Sequence, residues 1–292
     1  MPLTDDLSTM MFETLKFELN SNGIGVLTLN RPDNLNAMSF QMFEDLNNIF
    51  DHLMTNLDCR VVILKGEGRA FCAGLDLKEM NVLNTKRKPE EYKKFYYLNI
   101  PEVLKNRIYF QSRLSRVIVK MRKISQPIIA IIHGPATGGG FALTLASDIR
   151  IAGEKAKFNN AFIKLGLSGS DVGTSYFLPR LIGLSRATEI LYTGRFVDAQ
   201  EAENIGLVLK TVMGNESELF KTAMEIAEEL LLKSPLGLRM TKKAIDLTMD
   251  SPSLETVIQL ENRAQMIAST SSDVMEGMLA FFEKRKPKYP KL

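Results

Sequence analysis

The distribution of apolar residues along the chain predicts buried strands that are each followed by a small-residue turn and a helix. Ile128 to Ile132 is a continuous apolar run, and Val61 to Leu64 is a second one. Short apolar runs of this kind are typical of buried strands. The run at Ile128 to Ile132 is followed by a turn rich in small residues, His133 to Gly140. The run at Val61 to Leu64 is followed by a similar turn, Gly66 to Gly74. A helix-like stretch follows each turn. The chain therefore predicts the order strand, turn, helix twice.

Other periodicities extend this pattern toward both termini. Alternating apolar residues around a turn predict a hairpin over residues 14–30. A stripe at helical spacing from Met42 to Leu53 predicts a core-facing helix, which Ser39 is expected to cap. A short strand is expected at Leu207 to Val212. After it, helical periodicity predicts four successive helices, at 216–233, 235–250, 253–269 and 272–285.

The order of these elements predicts an α/β fold followed by an all-helical region. The chain has 292 residues and is 45% apolar, which is enough for a sizeable core. We divide it into a loose N-terminal leader (1–11), an α/β core (12–213) and a C-terminal helical region (214–292).

Charge and cysteine content exclude several classes of protein. A net charge of +3 is mild and does not call for nucleic acid. No stretch approaches the ~18 consecutive apolar residues of a membrane span, and the acidic N-terminus does not resemble a secretory signal. The two cysteines, Cys59 and Cys72, form no disulfide framework, which suits a cytoplasmic protein. We interpret Cys72 as a small buried side chain.

The glycine-rich turns are the first candidate for chemistry. Gly138 to Gly140 lead into an apolar helix whose first N–H groups lack partners and lie at the positive end of the helix dipole. Such a turn can bind an anion or a developing oxyanion, and two such turns can direct two N–H groups at one carbonyl oxygen. The alternative is that the glycines only allow close packing of helix and strand.

A set of motifs, in order along the chain, resembles the crotonase superfamily, also called the enoyl-CoA hydratase/isomerase family. Together they span roughly residues 12–290. The motifs are Asn30–Pro32 with Asn36–Ala37, Gly66–Met80, His133–Gly140, Ser147–Ala152, and Leu191–Gly194 with Ala199–Ala202 and Gly206–Val208.

The resemblance implies a spiral of ββα units with a coenzyme A thioester as substrate. It implies an oxyanion hole formed by the N–H groups of Ala73 and Gly139. It further implies a homotrimer or homohexamer assembled through the C-terminal helices, with no separate cofactor and no metal. The other residues expected to bind substrate or coenzyme A are Arg69, Ala70, Phe71, Gly74, Leu75, Asp76, Gly138, Gly140, Phe162, Phe281 and Lys284.

The acid–base residues depart from those of the family's hydratases. Hydratases carry one glutamate two residues after the last glycine of the helix-start motif, which is Ala142 here, and a second about twenty residues on, near Phe162. Neither position is acidic. Asp171 lies in a small-residue turn ahead of an apolar helix, and its surroundings resemble those of the catalytic aspartate in dienoyl-CoA isomerases and chlorobenzoyl-CoA dehalogenase. We therefore take Asp171 as the candidate catalytic residue, with a helix N-cap as the alternative.

Four functions remain open at this point. The first is an enoyl-CoA hydratase with a rearranged acid–base set, and the second is an enoyl- or dienoyl-CoA isomerase that uses Asp171. The third is an enzyme of dehalogenase-type or other thioester hydrolysis with Asp171 as the nucleophile, and the fourth is a non-catalytic acyl-CoA-binding protein. The aromatic residues Tyr92, Phe95, Tyr96 and Tyr97 either line an acyl site or pack a lid on the core.

Overall fold

A computed structural model of the chain describes residues 10–82, 99–251 and 253–289, so most of the expected leader and the aromatic residues 92–97 lie outside the described residues. The strands are β1 (Leu15–Leu19), β2 (Ile24–Leu29), β3 (Val61–Gly66), β4 (Ile128–Ile132), β5 (Pro135–Thr137), β6 (Ile149–Gly153), β7 (Lys157–Asn159), β8 (Val197–Asp198) and β9 (Lys210–Val212).

The helices begin after the hairpin and dominate the C-terminal part of the chain. They are α1 (Phe40–Thr55), α2 (Leu77–Val82), α3 (Glu102–Lys123), α4 (Gly139–Ala146), α5 (Thr174–Ile182), α6 (Leu184–Thr193), α7 (Ala199–Asn204), α8 (Glu216–Leu231), α9 (Pro235–Thr248), α10 (Leu254–Ser269) and α11 (Ser272–Phe282). None of the described helices is long and apolar enough to cross a membrane.

Two sheets organise the α/β part. The larger has the order β1-β2-β3-β4-β6-β9, and all its pairs except β1–β2 are parallel. The smaller consists of β5, β7 and β8. Because strands β3 and β4 are parallel neighbours, the turns that follow them emerge at the same edge of the sheet. The α/β class with a C-terminal helical region, predicted from the sequence, is confirmed.

Apolar residues on both faces of the large sheet form two core clusters. On one face, α1, α3 and α4 pack on strand residues such as Leu27, Leu64 and Ile132. On the other face, Ile63, Ile129 and neighbouring residues pack against α8. Helix α8 lies beyond the expected boundary at residue 213, yet it covers the sheet.

A partly buried cluster of charged side chains joins α3, β4 and α9. Asp148 accepts a hydrogen bond from the Ile128 N–H at 2.8 Å and pairs with Arg122 at 2.7 Å and Lys242 at 2.9 Å. Burial lowers the pKa of Lys242, and the carboxylate of Asp148 partly offsets this effect. Arg122 also pairs with Asp246 on α9. These bonds fix the position of α9 relative to α3.

Candidate active site

The two glycine turns lie side by side. Cys72 and Ala136 form a parallel bridge, in which the Cys72 N–H donates to the Pro135 carbonyl oxygen at 3.1 Å and the Thr137 N–H donates to that of Cys72 at 2.9 Å. A Cβ on Gly74 would lie only 2.8 Å from the Thr137 carbonyl oxygen and 3.6 Å from the Gly139 nitrogen. Gly74 has a φ of +91°, so this close approach and this backbone conformation both require glycine.

The N–H group of Ala73 is not free, and its prediction as an oxyanion donor is wrong. It donates to the carbonyl oxygen of Leu35 at 2.9 Å. Leu35 belongs to a loop far upstream in sequence, so nothing in the local motif indicated this bond. By contrast, Gly139 begins α4, and its N–H has no hydrogen-bond partner among the described residues. Gly139 therefore remains available as a donor.

The N–H group of Leu75 is a donor that the sequence reasoning did not identify. Met38 pairs with Leu75 in a parallel bridge, donating to the Gly74 carbonyl oxygen at 2.7 Å and accepting from the Asp76 N–H at 3.0 Å. The N–H of the bridged residue itself points away from its partner strand in this pattern. No described residue accepts a hydrogen bond from it. The Leu75 N–H is therefore a second candidate donor, on the turn that lies next to Gly139.

Polar side chains of the upstream loop hold the turn after β3. Asn36 is fully buried and donates to the carbonyl oxygens of Glu67 and Ala70, both at 2.8 Å. Arg31 pairs with Asp76 at 3.0 Å. The Asp76 carboxylate also accepts from the Glu79 N–H at 3.4 Å, within the first turn of α2. These contacts give Asp76 a structural role.

The remaining candidates near this turn differ in exposure. Arg69 is exposed, whereas Ala70 and Phe71 belong to the buried core. His133 contacts the Gly68 carbonyl oxygen through Nε2 at 2.8 Å, and so holds the turn. Cys72 is fully buried, and burial raises the pKa of its thiol to about 12, which confirms the interpretation as a packed, unreactive side chain.

Apolar side chains fill the two positions at which hydratases of the family carry glutamates. Ala142 is fully buried in α4, and Phe162 is 2% exposed. The Phe162 ring packs over the start of α4, since a Cβ on Gly138 would lie 3.5 Å from the Cε1 atom of the ring. Neither position provides a carboxylate for holding a water molecule.

The Asp171 side chain does not cap α5. The N-cap of that helix is Gly173, and no side chain caps it. Instead, Asp171 Oδ1 accepts a hydrogen bond from the Val172 N–H at 2.7 Å and another from Gln111 Nε2 on α3. The alternative of a simple helix cap is therefore wrong. Asp171 Oδ2 accepts no hydrogen bond from the described residues.

Electrostatics and backbone geometry distinguish the Asp171 turn from an ordinary loop. Burial raises the pKa of the Asp171 carboxyl, while the hydrogen bonds from Val172 and Gln111 act in the opposite direction. Val172 has a φ of +41°, which is uncommon for a β-branched residue. Strained backbone of this kind is concentrated at functional sites.

A short segment connects the Asp171 turn to the start of α4. Asn160 Nδ2 donates to the Gly169 carbonyl oxygen at 2.7 Å, and the Gly138 N–H donates to the Asn159 carbonyl oxygen at 3.0 Å. Helix α4 also packs against α3 and α5. The N–H groups of Leu75 and Gly139 and the Asp171 carboxylate therefore belong to one region of the fold.

The two C-terminal candidates are not brought to this region. Phe281 is 79% exposed at the end of α11, and its ring contacts the adjacent Phe282. Lys284 follows the helix and is also exposed. Among the described residues, neither side chain makes a hydrogen bond or ring contact with the glycine turns.

Comparisons with known proteins agree with this architecture. Residues 19–291 match the family described as enoyl-CoA hydratase/isomerase. The chain is 37% identical over 268 residues to the "probable enoyl-CoA hydratase echA12" of Mycobacterium leprae, covering 90% of this chain and 85% of that protein. It is 33% identical over 270 residues to the 1,2-epoxyphenylacetyl-CoA isomerase of Escherichia coli K12, covering 91% and 95%.

A solved structure from the same family has the same fold. The crystal structure of the enoyl-CoA hydratase from Bacillus anthracis is similar to this chain with a TM-score of 0.83 and 34% identity. The match covers 96% of this chain and all of that one, and so includes the C-terminal helices as well as the sheets.

Proposed function

Because the chain belongs to the enoyl-CoA hydratase/isomerase family, we propose that it moves the carbon–carbon double bond of an enoyl-CoA thioester. In this proposal Asp171 carries the proton. The N–H groups of Leu75 and Gly139 bind the thioester oxygen. Coenzyme A enters as part of the substrate, and neither a separate cofactor nor a metal takes part.

The reaction needs one carboxylate and an oxyanion hole. Asp171 Oδ2 removes a proton from the carbon next to the thioester, and the electron pair moves onto the thioester oxygen to give a dienolate. The two N–H groups stabilise this negative charge. The proton then returns from Asp171 to the γ-carbon, the double bond moves into conjugation with the thioester, and the carboxylate is restored. Substrate and product are isomers, so no water is consumed.

The observation that carries this proposal is the apolar filling at Ala142 and Phe162. Hydration requires groups that hold and deprotonate a water molecule while a proton is delivered to the α-carbon. Because residues 142 and 162 are a buried alanine and a buried phenylalanine, this chain lacks that pair of carboxylates. Isomerisation can use a single carboxylate twice, first as base and then as acid.

The expected lowering of the activation free energy by these groups is adequate for this reaction. Two oxyanion donors contribute about 5–8 kcal/mol at about 2.7–4 kcal/mol each. One positioned acid–base group adds about 10²–10⁴-fold, or about 3–5 kcal/mol. The total of about 8–13 kcal/mol lies in the lower part of the range known for enzymes.

Hydration is the second candidate, because similar proteins such as that of M. leprae are described as enoyl-CoA hydratases. It would require a water-holding group other than residues 142 and 162. The 1,2-epoxyphenylacetyl-CoA isomerase of E. coli is by its name an isomerase of a coenzyme A thioester, so the relatives support both candidates.

Deuterium exchange distinguishes the candidates. We expect the protein, incubated with trans-3-hexenoyl-CoA in D₂O, to form the conjugated 2-enoyl thioester, with deuterium at the γ-carbon wherever the proton on Asp171 exchanges with solvent before it is delivered. Mass spectrometry should show no gain of water. If the protein instead adds water to trans-2-hexenoyl-CoA and leaves trans-3-hexenoyl-CoA unchanged, hydration replaces isomerisation as its reaction. Labelled oxygen from H₂¹⁸O in Asp171 would indicate a nucleophile, and binding without exchange or turnover would indicate a non-catalytic protein.

We also propose that the C-terminal helices mediate self-association into a trimer or hexamer. Helix α10 has no buried residue, and several apolar side chains of α10 and α11 are exposed. Exposed apolar side chains in this number on two adjacent helices are typical of an interface. The most exposed of these side chains are Leu254, Met266, Met275, Met278, Phe281 and Phe282.

Light scattering after size exclusion tests this assembly. We expect the native chain to elute as a trimer or hexamer and a Met275→Glu/Met278→Glu variant to dissociate, because two charges would be buried without partners in an apolar interface. Lys243→Glu, at an exposed position on α9, serves as a charge-changing control. A monomeric native protein would contradict the proposal.

A further inference from the structure

An apolar groove with a volume of about 420 Å³ lies between α3, α5 and α9. The site described above does not account for it. Most of its wall is aliphatic or aromatic, and the volume falls within the range of about 300–1,000 Å³ that is usual for small-molecule sites. Six of the residues that line it are Ser115, Ile118, Val119, Val172, Phe177 and Met249.

The groove begins next to Asp171. Val172 and Gly173, which follow Asp171 directly, both line it, and a Cβ on Gly173 would lie 3.6 Å from Ile118 Cγ2. Gln111, the α3 residue that donates to the Asp171 carboxylate, lies four residues before Ser115. Residues at this spacing share one face of a helix and lie about 6 Å apart along its axis. The groove therefore extends along α3 away from the reacting carboxylate.

One wall of the groove is fixed by polar contacts behind it. The Tyr176 hydroxyl donates to Asp250 at 2.7 Å, and the guanidinium of Arg180 stacks 3.8 Å from the centre of the Tyr176 ring. Arg180 also pairs with Asp250 at 2.8 Å. These bonds hold the aromatic ring in place, so this wall is formed before any ligand binds.

The far end of the groove does not favour a charged ligand group. Arg122 and Asp246 both line it there, but they pair with each other, and Arg122 also pairs with Asp148. The Lys123 side chain is exposed and keeps its ammonium group in water. A saturated hydrocarbon segment fits these surroundings better than a terminal carboxylate.

We propose that this groove binds the distal, apolar end of the acyl group. The chain then acts preferentially on enoyl-CoA thioesters whose acyl part extends well beyond the reacting carbons. The inference rests on the proposed function, because Asp171 must be the group at which the reacting carbons lie.

The test is a chain-length series. For the native protein, kcat/KM for trans-3-enoyl-CoA substrates should rise from the hexenoyl to the decenoyl thioester by up to about fourfold per methylene, the equivalent of about 0.8 kcal/mol for each one buried. Val119→Trp and Met249→Trp fill the groove and should reduce the ratio of decenoyl to hexenoyl kcat/KM by about tenfold or more. Leu247→Trp is the matched control, since Leu247 is 52% exposed on α9 outside the groove, and should leave the ratio unchanged.

The outcomes separate this inference from the proposed function. Isomerisation of hexenoyl-CoA with no preference for longer chains would overturn the groove assignment and leave the proposed reaction intact. If no substrate turns over, the dissociation constants of saturated hexanoyl- and decanoyl-CoA still test the groove, and equal values would overturn it. Tryptophan variants that change the oligomeric state but not the chain-length ratio would assign the groove to contact between subunits and overturn the proposal.

Discussion

Replacement of Asp171 by asparagine is expected to lower kcat/KM for double-bond isomerisation by about 10²–10⁴-fold, the usual contribution of a positioned acid–base group. The variant should retain the native fold. An asparagine carboxamide has the same shape, and its oxygen can still accept the hydrogen bonds from the Val172 N–H and Gln111. Steady-state rates with trans-3-hexenoyl-CoA provide the measurement.

The pH dependence follows from the raised pKa of Asp171. Burial makes the native state bind this proton more tightly than the unfolded state does. The protonated carboxyl group of Asp171 is therefore compatible with folding at low pH, and the stability of the fold decreases as the pH rises and the group ionises. At neutral pH, Asp171→Asn should therefore leave the melting temperature unchanged or raise it. Since catalysis starts from the carboxylate, native kcat/KM should rise with pH through a pKa above the ordinary aspartate value.

Asp51→Asn is the matched control, because Asp51 pairs with Lys120 on the outer surface, where its side chain is 49% exposed. It should retain native activity. If Asp171→Asn also isomerises at close to the native rate, Asp171 is not the proton carrier. A variant that loses activity and melts at a much lower temperature would indicate a structural role instead.

Gly140→Ala is expected to cause the second large loss. An alanine inside a helix normally stabilises it relative to glycine by about 0.5–1 kcal/mol. Here the new Cβ would lie 2.2 Å from the carbonyl oxygen of Cys72 and 2.7 Å from its Cβ, so the backbone of one turn must move. That movement separates the N–H groups of Leu75 and Gly139. We expect kcat/KM to fall by about 10²–10³-fold and stability to fall by about 1–3 kcal/mol.

Gly277→Ala in α11 is the control for this substitution. Its Cβ would meet only the Tyr289 hydroxyl at 3.2 Å, which is the end of a side chain. Denaturant unfolding should therefore show unchanged or increased stability for Gly277→Ala and decreased stability for Gly140→Ala. Native rates in Gly140→Ala would mean that the distance between the two turns is not critical for the reaction.

The larger elements were predictable because local patterns determine them. The apolar run at Ile128 to Ile132 coincides with β4, and the stripe from Met42 to Leu53 lies within α1. The Ser39 side chain accepts from the Met42 N–H at 3.1 Å, as expected of a cap. In these segments, hydrophobic periodicity and turn chemistry agree with the tertiary environment.

Short elements and hydrogen-bond partners were not predictable in the same way. The smaller sheet has strands of two or three residues, too short for alternation to be recognised. The strand expected at Leu207 to Val212 begins only at Lys210, because the Leu207 N–H bonds back to Ala202 at 2.8 Å.

The prediction of Ala73 rather than Leu75 as the N–H donor was also wrong because it depended on contacts between distant parts of the chain. Leu35 accepts the hydrogen bond of the Ala73 N–H, and Met38 pairs with the turn beside Leu75. Both residues reach the turn only in the folded chain. Neighbouring N–H groups in one motif look equivalent in the sequence until a distant carbonyl oxygen occupies one of them.

The position of α8 in the chain has a consequence for biosynthesis. Residues Ile63, Ile129 and Ile151 lie on the sheet face that α8 covers, and the last of their strands, β6, ends at Gly153. Helix α8 ends at Leu231, about 80 residues later, which takes roughly 4–16 seconds at usual rates of translation. During that interval the nascent chain displays an isoleucine-rich surface, so the ribosome-bound intermediate is expected to depend on chaperones more than the finished protein does.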